Sequence, residues 1–373
     1  MRVAIQGASG FVGSRLMERV HLGGLADVRP IGRSYASLTR IARFDVDWRL
    51  ADALDEDALT EAFAGCDVVF LSVTGSEQVL LRSPAVTIRA AGRAGVPRVV
   101  YLSTGVTLGF NPGAGTDDET PPVLDQPWLY NRAKARAEAT LDELRRATGV
   151  DVVVLRPTIV YGPRSDSWTT VVAQRLLWHT AFLVDDGANV CNAIYVDNLV
   201  DAMWLAATVP AAANQRFLVS DRERATWADL YRSVADAVGV PTAEIHTVER
   251  DEVLAHLAAS SGLSARIKRQ LKAGGGKRLV DAIPREAKAR VRRMQAAWRP
   301  PAEGRPGGRD FLWSMPDVEL LVQICDHQLP IAKAERILGY DPIPFAEGTR
   351  RSAAWLAAMG FHAQQDLVGM TGA

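Results

Sequence analysis

Met1-Arg2-Val3-Ala4-Ile5-Gln6-Gly7-Ala8-Ser9-Gly10-Phe11-Val12-Gly13-Ser14-Arg15-Leu16 opens the chain. A short apolar run with two β-branched residues passes into a glycine turn and out into an amphipathic helix. Gly7 allows the tight turn, Gly10 lets backbone approach a diphosphate, and Gly13 lets the helix pack on the strand. The helix N-terminus offers free N–H groups and the positive end of its dipole to an anion. This strand-turn-helix predicts a dinucleotide site, with Gly7, Ser9, Gly10, Phe11, Val12 and Gly13 as its candidate contacts.

The alternation continues outward from that turn. Residues 28–31, 46–50, 67–72, 98–102 and 151–155 read as strands, and residues 55–64, 85–94 and 130–146 as helices. Such alternation means parallel β-α-β units, hence an α/β fold with a doubly wound parallel sheet of the Rossmann type. The segment 105–127, rich in Gly, Pro and Asp, is long for a loop in a compact domain and is marked as functional. Beyond Pro157 the regularity weakens. Residues 191–196 read as a strand, and 200–207, 331–338 and 346–359 as helices. A further helix spans 226–238, with Thr226 as N-cap and Gly239 as its stop. The expected organisation is a nucleotide-binding domain over 1–160 and a smaller, mixed C-terminal substrate-binding part over 161–373. Within the latter, 190–225 packs back on the first domain and 245–330 forms a basic helical insertion. That insertion holds fourteen Lys or Arg against three Asp or Glu between Ser264 and Arg309; it reads first as a solvated, partly mobile helical insertion, and alternatively as a lid or docking surface for an anionic substrate, a carrier or a membrane face.

Bulk composition narrows the classes. A chain of 373 residues with 48% apolar and 23% charged content is that of an ordinary soluble protein. Zero formal net charge argues against a nucleic-acid binder. Cys66, Cys191 and Cys325 lack metal-ligand spacing and read as reduced thiols of a cytoplasmic protein. The first strand begins at residue 2, so no signal peptide is expected, and no apolar run approaches the length of a membrane span.

Tyr130 and Lys134 stand four apart in a helical stretch and share one helix face. An ammonium beside a phenol lowers the phenol's pKa and makes it a proton donor and acceptor near neutral pH. Upstream, Ser103 and Thr104 end a buried strand, and ligands of doubly wound sheets bind at the carboxyl ends of strands. Asp52, Leu155-Arg156-Pro157, Tyr161-Gly162-Pro163 and Tyr195-Val196-Asp197-Asn198 are further pieces. Asp197 reads as a cap of the next helix, Trp128 as a packing or a substrate contact, and His179 and His327 as packing or surface residues.

In that order the pieces resemble an extended short-chain dehydrogenase/reductase, the NAD(P)-dependent epimerase/dehydratase family. The resemblance covers roughly residues 1–240, with Leu338-Gly339-Tyr340-Asp341-Pro342 and Gly348 at the end. It implies Tyr130 as acid/base at the substrate oxygen. Lys134 would lower its pKa and hold the nicotinamide ribose, and Thr104 would be the catalytic hydroxyl, with Ser103 a close competitor. Pro157 would line the nicotinamide, Asp52 with Ala53 would meet the adenine, and Ser72 would lie along the cofactor. A homodimer through the helix bearing Tyr130 is a further implication.

Two departures bear on function. Dehydratases of this family carry Asp-Glu directly after the catalytic Thr to protonate the leaving hydroxyl; Gly105 and Val106 stand there, so dehydration lacks its general acid. An NAD site would show Asp or Glu about 20 residues past the glycine turn. Arg33 and Ser34 occupy that place and suit a 2′-phosphate, favouring NADP(H) over NAD(H). The expected function is an oxidoreductase acting on a secondary alcohol or ketone, with a sugar or sugar nucleotide among the candidate substrates. A sugar-nucleotide epimerase with retained cofactor is the alternative, and a non-catalytic NADP-sensing protein the alternative of another class.

Overall fold

Residues 3–6, laddered on both sides and buried, form most of β1 (Arg2–Gln6), which runs through the glycine turn into α1 (Phe11–Leu22). A computed structural model describes residues 1–126, 128–255 and 317–363 of the protein. The alternation continues as β2 (Asp27–Gly32), α2 (Tyr35–Leu38), β3 (Arg49–Leu50), α3 (Glu56–Phe63), β4 (Val68–Leu71), α4 (Glu77–Arg93) and β5 (Arg98–Leu102). Then come α5 (Leu129–Ala139), α6 (Leu141–Thr148), β6 (Asp151–Pro157), β7 (Ile159–Tyr161), α7 (Val171–Leu177), β8 (Phe182–Val184) and β9 (Ala193–Tyr195). α8 (Val196–Thr208), β10 (Arg216–Val219), α9 (Trp227–Val238) and β11 (His246–Val248) precede α10 (Asp317–Leu321), α11 (Ala332–Leu338) and α12 (Phe345–Ala358). The expected basic segment from Ser264 to Arg309 lies outside the described residues.

Seven strands form one parallel sheet in the order β10-β6-β5-β4-β1-β2-β3. Strand order reverses between β1 and β4, and such a switch point opens a crevice at the carboxyl ends of the strands. One apolar layer sets Leu16, Met203 and Leu338 of the helices against Ile5, Val100 and Leu155 of the sheet. The opposite layer sets Phe63, Ile88 and Leu141 against Val69, Val99 and Val152. Each such side chain stabilises the fold by about 1.5–3 kcal/mol relative to exposure. A third cluster gathers Tyr161, Trp227 and Leu356 around the parallel pair β7–β9. α8 packs in one apolar layer of the main sheet, and β10 pairs with β6 at its edge.

Several elements differ from their sequence reading. The expected helix 130–146 is two helices, because the Thr140 hydroxyl donates to the Ala137 carbonyl (2.8 Å) where the backbone bends. α4 starts at Glu77, not 85: Ser76 caps it and Pro84 is accommodated inside. The strand expected over 46–50 shrinks to two residues, since Trp48 N–H bonds back to the Val46 carbonyl in a tight turn. Thr226 caps α9 as expected, exchanging bonds with Asp229 in a capping box, and Gly239 ends it at φ 74°. Among the described residues no helix is long and apolar enough to cross a membrane.

Candidate active site

Gly7 turns the chain at φ +94°, and a Cβ there would meet the Ser72 carbonyl oxygen at 2.8 Å. At Gly13 a Cβ would run into the Gly7 carbonyl, so α1 presses directly on the turn. Gly10 gives α1 no side-chain cap, leaving its first-turn N–H groups for a ligand. These features fit a dinucleotide: a glycine cradle, an uncapped helix start and a cleft beside both. The cleft holds about 710 Å³ and is walled by Gly10, Phe11, Val12, Ser72, Ser103, Thr104, Tyr130 and Pro157, among others. Ser72 also donates to the Gln6 carbonyl (3.2 Å), tying the ends of β1 and β4 together.

Thr104, at the end of β5, and Tyr130, in the first turn of α5, come together across the cleft. Tyr130 is 40% exposed as a residue, yet its hydroxyl end is dehydrated. Burial raises its pKa above the ordinary phenol value, and hydrogen bonding to Thr104 pulls the other way. Lys134 lies one turn on, buried, with Nζ donating to the Leu102 carbonyl (2.8 Å) and lying 4.8 Å from the centre of the Tyr101 ring. Dehydration lowers its pKa to about 8, opposed by the Glu138 carboxylate. The expectation that Lys134 lowers the Tyr130 pKa is thus corrected for this state: the ammonium is engaged by Leu102, and burial dominates the phenol.

Glu138, one further turn along α5, was missed in the sequence. Tyr130, Lys134 and Glu138 follow an i, i+4, i+8 pattern, which was the available signal. Its carboxylate accepts from Ser103 Oγ (2.8 Å) and from Nε of the fully buried Arg156 (2.9 Å). Arg156 Nη1 also donates to the carbonyls of Asp118 and Thr120 (3.0 Å each), anchoring the long loop. Ser103 is therefore committed to structure, whereas Thr104 makes no side-chain bond of that kind. Gln126 fastens the same loop through Nε2 to the carbonyls of Val106 and Thr107, and its Oε1 accepts from Asn131, which lines the cleft.

Residues 3–219 match the sequence model of the NAD dependent epimerase/dehydratase family. The chain belongs to that family. It is therefore an enzyme of the extended short-chain dehydrogenase/reductase type. The UDP-glucose 4-epimerase of Mycolicibacterium smegmatis is 29% identical over 266 residues, 65% of this chain and 84% of that protein. The 2-alkyl-3-oxoalkanoate reductase of Stenotrophomonas maltophilia is 30% identical over 270 residues, 65% of this chain and 77% of that protein. The fold is shared with the Thermus thermophilus UDP-glucose 4-epimerase in complex with NAD (TM-score 0.63, 19% identity, 96% of this chain and 99% of that one). It is shared equally with the Streptomyces venezuelae dTDP-glucose 4,6-dehydratase (TM-score 0.65, 19% identity, 96% and 97%).

The remaining candidates in this epimerase/dehydratase-family enzyme divide by position. Gly7, Ser9 and Gly13 shape the turn behind the cleft wall. Arg33 is exposed at the end of β2, off the wall, and the Ser34 hydroxyl accepts from Ser37 N–H as the cap of α2. Arg40, which sequence reading passed over, lines the cleft instead. Asp52 accepts from Leu54 N–H (2.9 Å) in a local turn, and neither Asp52 nor Ala53 reaches the wall. Asp197 does not cap α8; it makes a two-pronged ion pair with Arg15 (2.5 and 2.9 Å). Trp128 packs edge-on against Phe110, centroids 4.7 Å apart. His179 Nδ1 sits 2.6 Å from Glu244 at the surface. Tyr161 and Asn198 both donate to the buried Asp221, so those two motifs hold the fold rather than the chemistry.

Proposed function

We propose that the protein is an NAD(P)(H)-dependent oxidoreductase that interconverts a ketone and a secondary alcohol, with Thr104, Tyr130 and Lys134 as its working residues. One observation carries this reading: Thr104 and Tyr130 line the same cleft that opens beside the glycine turn, where a phenol, protonated at neutral pH as any tyrosine is, can give its proton to a ketone oxygen. Thr104 orients the same oxygen from the end of β5. Lys134 supplies a fixed positive charge beneath them, held by Leu102. Bound at the glycine turn, the nicotinamide cofactor supplies or accepts the hydride. Gly10 to Gly13 would hold its diphosphate, with Ser72 along the cofactor and Pro157 at its nicotinamide; Asp52 and Ala53, off the described wall, would meet the adenine only at its outer edge.

NADP(H) is the preferred cofactor in this reading. Arg33 and Arg40 flank the adenosine end and make no ion pair among the described residues. Dehydration is set aside because Gly105 and Val106 follow Thr104, and the acids on the described cleft wall are Asp166 and Glu319, the latter bonded to Arg175. Residues 1–160 act as the cofactor-binding domain and 161–373 as the substrate side. A homodimer through α4 and α5 is supported by the exposed Leu81 and Leu129 on those helices. A cytoplasmic setting is supported by three unpaired, buried cysteines.

The test is a cofactor titration followed by addition of carbonyl substrates. NADPH should bind about ten-fold or more tightly than NADH, as a charged hydrogen bond to the extra phosphate gives. It should then exchange freely and be consumed one for one with ketone. The second reading, an epimerase, rests on the likeness to UDP-glucose 4-epimerases. It would be favoured by a cofactor that co-purifies, does not exchange, and supports inversion of a nucleotide sugar without net consumption.

A further inference from the structure

We infer that the substrate is a neutral ketone carrying a long apolar body, which the cleft seats against fixed aromatic and aliphatic side chains. The inference rests on the oxidoreductase reading above and concerns what that site accepts. Away from the glycine turn the cleft is walled by Phe110, Val160, Trp168, Val322 and Leu329. These residues are held in place before any ligand arrives. Trp168 lies on a single π-helical turn, Asp166–Thr170, whose start is capped by the Ser165 hydroxyl accepting from Trp168 N–H (3.3 Å). The Thr169 hydroxyl accepts from Gly162 N–H (3.0 Å), and the Trp168 ring lies 5.7 Å from that of fully buried Trp227. Phe110 is braced by Trp128, and its neighbour Asn111 exchanges two bonds of 3.1 Å with Asp326. Rigid, preformed apolar walls lower the ordering cost of binding an apolar group.

Charge points the same way. Among the described residues, the cationic side chain on the cleft wall is Arg40, beside the glycine turn. The substrate half contributes two acids, Asp166 and Glu319, and no Lys or Arg among the described residues. A nucleotide diphosphate would bring two negative charges into that half, where the described wall residues offer acids and no positive side chain to meet them, and burying unpaired charge is costly. A neutral ketone meets no such penalty. In the reaction, the carbonyl carbon receives a hydride from the reduced nicotinamide and the oxygen receives the Tyr130 proton. The products are a secondary alcohol and oxidised nicotinamide, and Tyr130 regains its proton from solvent.

The experiment uses the full chain with NADPH and the methyl ketones 2-hexanone, 2-octanone, 2-decanone and 2-dodecanone, with UDP-glucose as the charged comparison. Turnover gives kcat/KM. Binding of the same ketones to NADPH-loaded Tyr130→Phe, read by quenching of protein fluorescence, gives affinity without chemistry. Both should rise about four-fold per methylene buried until the cleft is filled, and UDP-glucose should not displace the ketone. Trp168→Ala should flatten the rise and Trp168→Phe should keep most of it, with NADPH affinity unchanged in each. If Trp168→Ala does not fold, the wild-type series alone decides. A flat series, or UDP-glucose binding in preference to 2-dodecanone, overturns the inference. If none of the ketones shows chain-length dependence but Tyr130→Phe still abolishes their reduction, the substrate class falls while the oxidoreductase reading stands; inversion of UDP-glucose without net NADPH consumption would overturn both in favour of the epimerase. If Tyr130→Phe leaves turnover intact, both fall.

Discussion

At the scale of single residues, Lys134 and Glu138 set the charge beneath the reacting atoms. Burial depresses the Lys134 pKa to about 8 and Glu138 works against that. Because the folded value lies below the ordinary lysine value, the buried ammonium costs stability below about pH 8. That cost fades as the pH rises from there toward the unfolded value. The functional consequence runs the other way: above about pH 8 the positive charge is lost, and cofactor affinity should fall with it. Glu138→Gln removes the carboxylate that supports the ammonium, so this alkaline decline should move to lower pH. The same change leaves buried Arg156 without its counter-charge, at a cost of about 3 kcal/mol or more. Cofactor titrations from about pH 6 to 9 on both proteins, spanning the lysine's titration, with denaturant melts alongside, check this. A decline that stays in place while stability drops would mean that Glu138 acts through Arg156 and Ser103 alone.

At the scale of elements, Asp221 is the joint between the main sheet and the C-terminal helices. It follows β10 and accepts from Tyr161 of β7 (2.9 Å), from Tyr195 N–H at the end of β9 (3.0 Å) and from Asn198 of α8 (2.7 Å). Burial raises its pKa to about 6 despite these donors. A carboxyl raised in the folded state contributes stability that is complete below its unfolded pKa and is lost as the pH rises through about 6. Asp221→Asn, which keeps the acceptor for Tyr195 and Asn198, should therefore fold and lose this pH dependence between about 4 and 6. Asp221→Ala strands the Tyr195 N–H and takes one of two acceptors from Tyr161 and from Asn198, which keep the Phe345 and Ile343 carbonyls, and should cost about 2–4 kcal/mol. Thermal melts across that pH range distinguish the two; an unchanged profile in Asp221→Asn would contradict the assignment. These elements also mark what the sequence could tell. β1, the glycine turn, α1 and the capped α9 are local patterns, with every determining residue inside one turn or strand, and they were legible. β9 was legible within residues 191–196, but β7, β8 and β11 are three residues each and hold together through partners distant in the chain, so no periodicity announces them. Lys134 was legible as a charge but not as one bonded to Leu102, because that bond depends on how β5 and α5 pack. Arg40 and Glu138 were missed for the same reason.

At the scale of the whole molecule, the parallel sheet presents the glycine turn, Thr104 and Pro157 at its carboxyl edge, while the cluster around Trp227 carries the aromatic wall. Residues 105–126 contribute Gly105, Val106, Gly109, Phe110 and Pro112 to the cleft wall and are pinned by Arg156, Gln126 and the Lys333–Glu119 ion pair (2.5 Å). In the proposed reading cofactor binding and proton transfer are served by different groups, and a single atom distinguishes them. Tyr130→Phe removes that atom and keeps the ring. The central measurement is ketone turnover and NADPH affinity in this variant beside the wild type. Turnover should fall by about 10² or more, with NADPH affinity unchanged within about two-fold. Turnover that survives the loss of the Tyr130 hydroxyl would contradict the account.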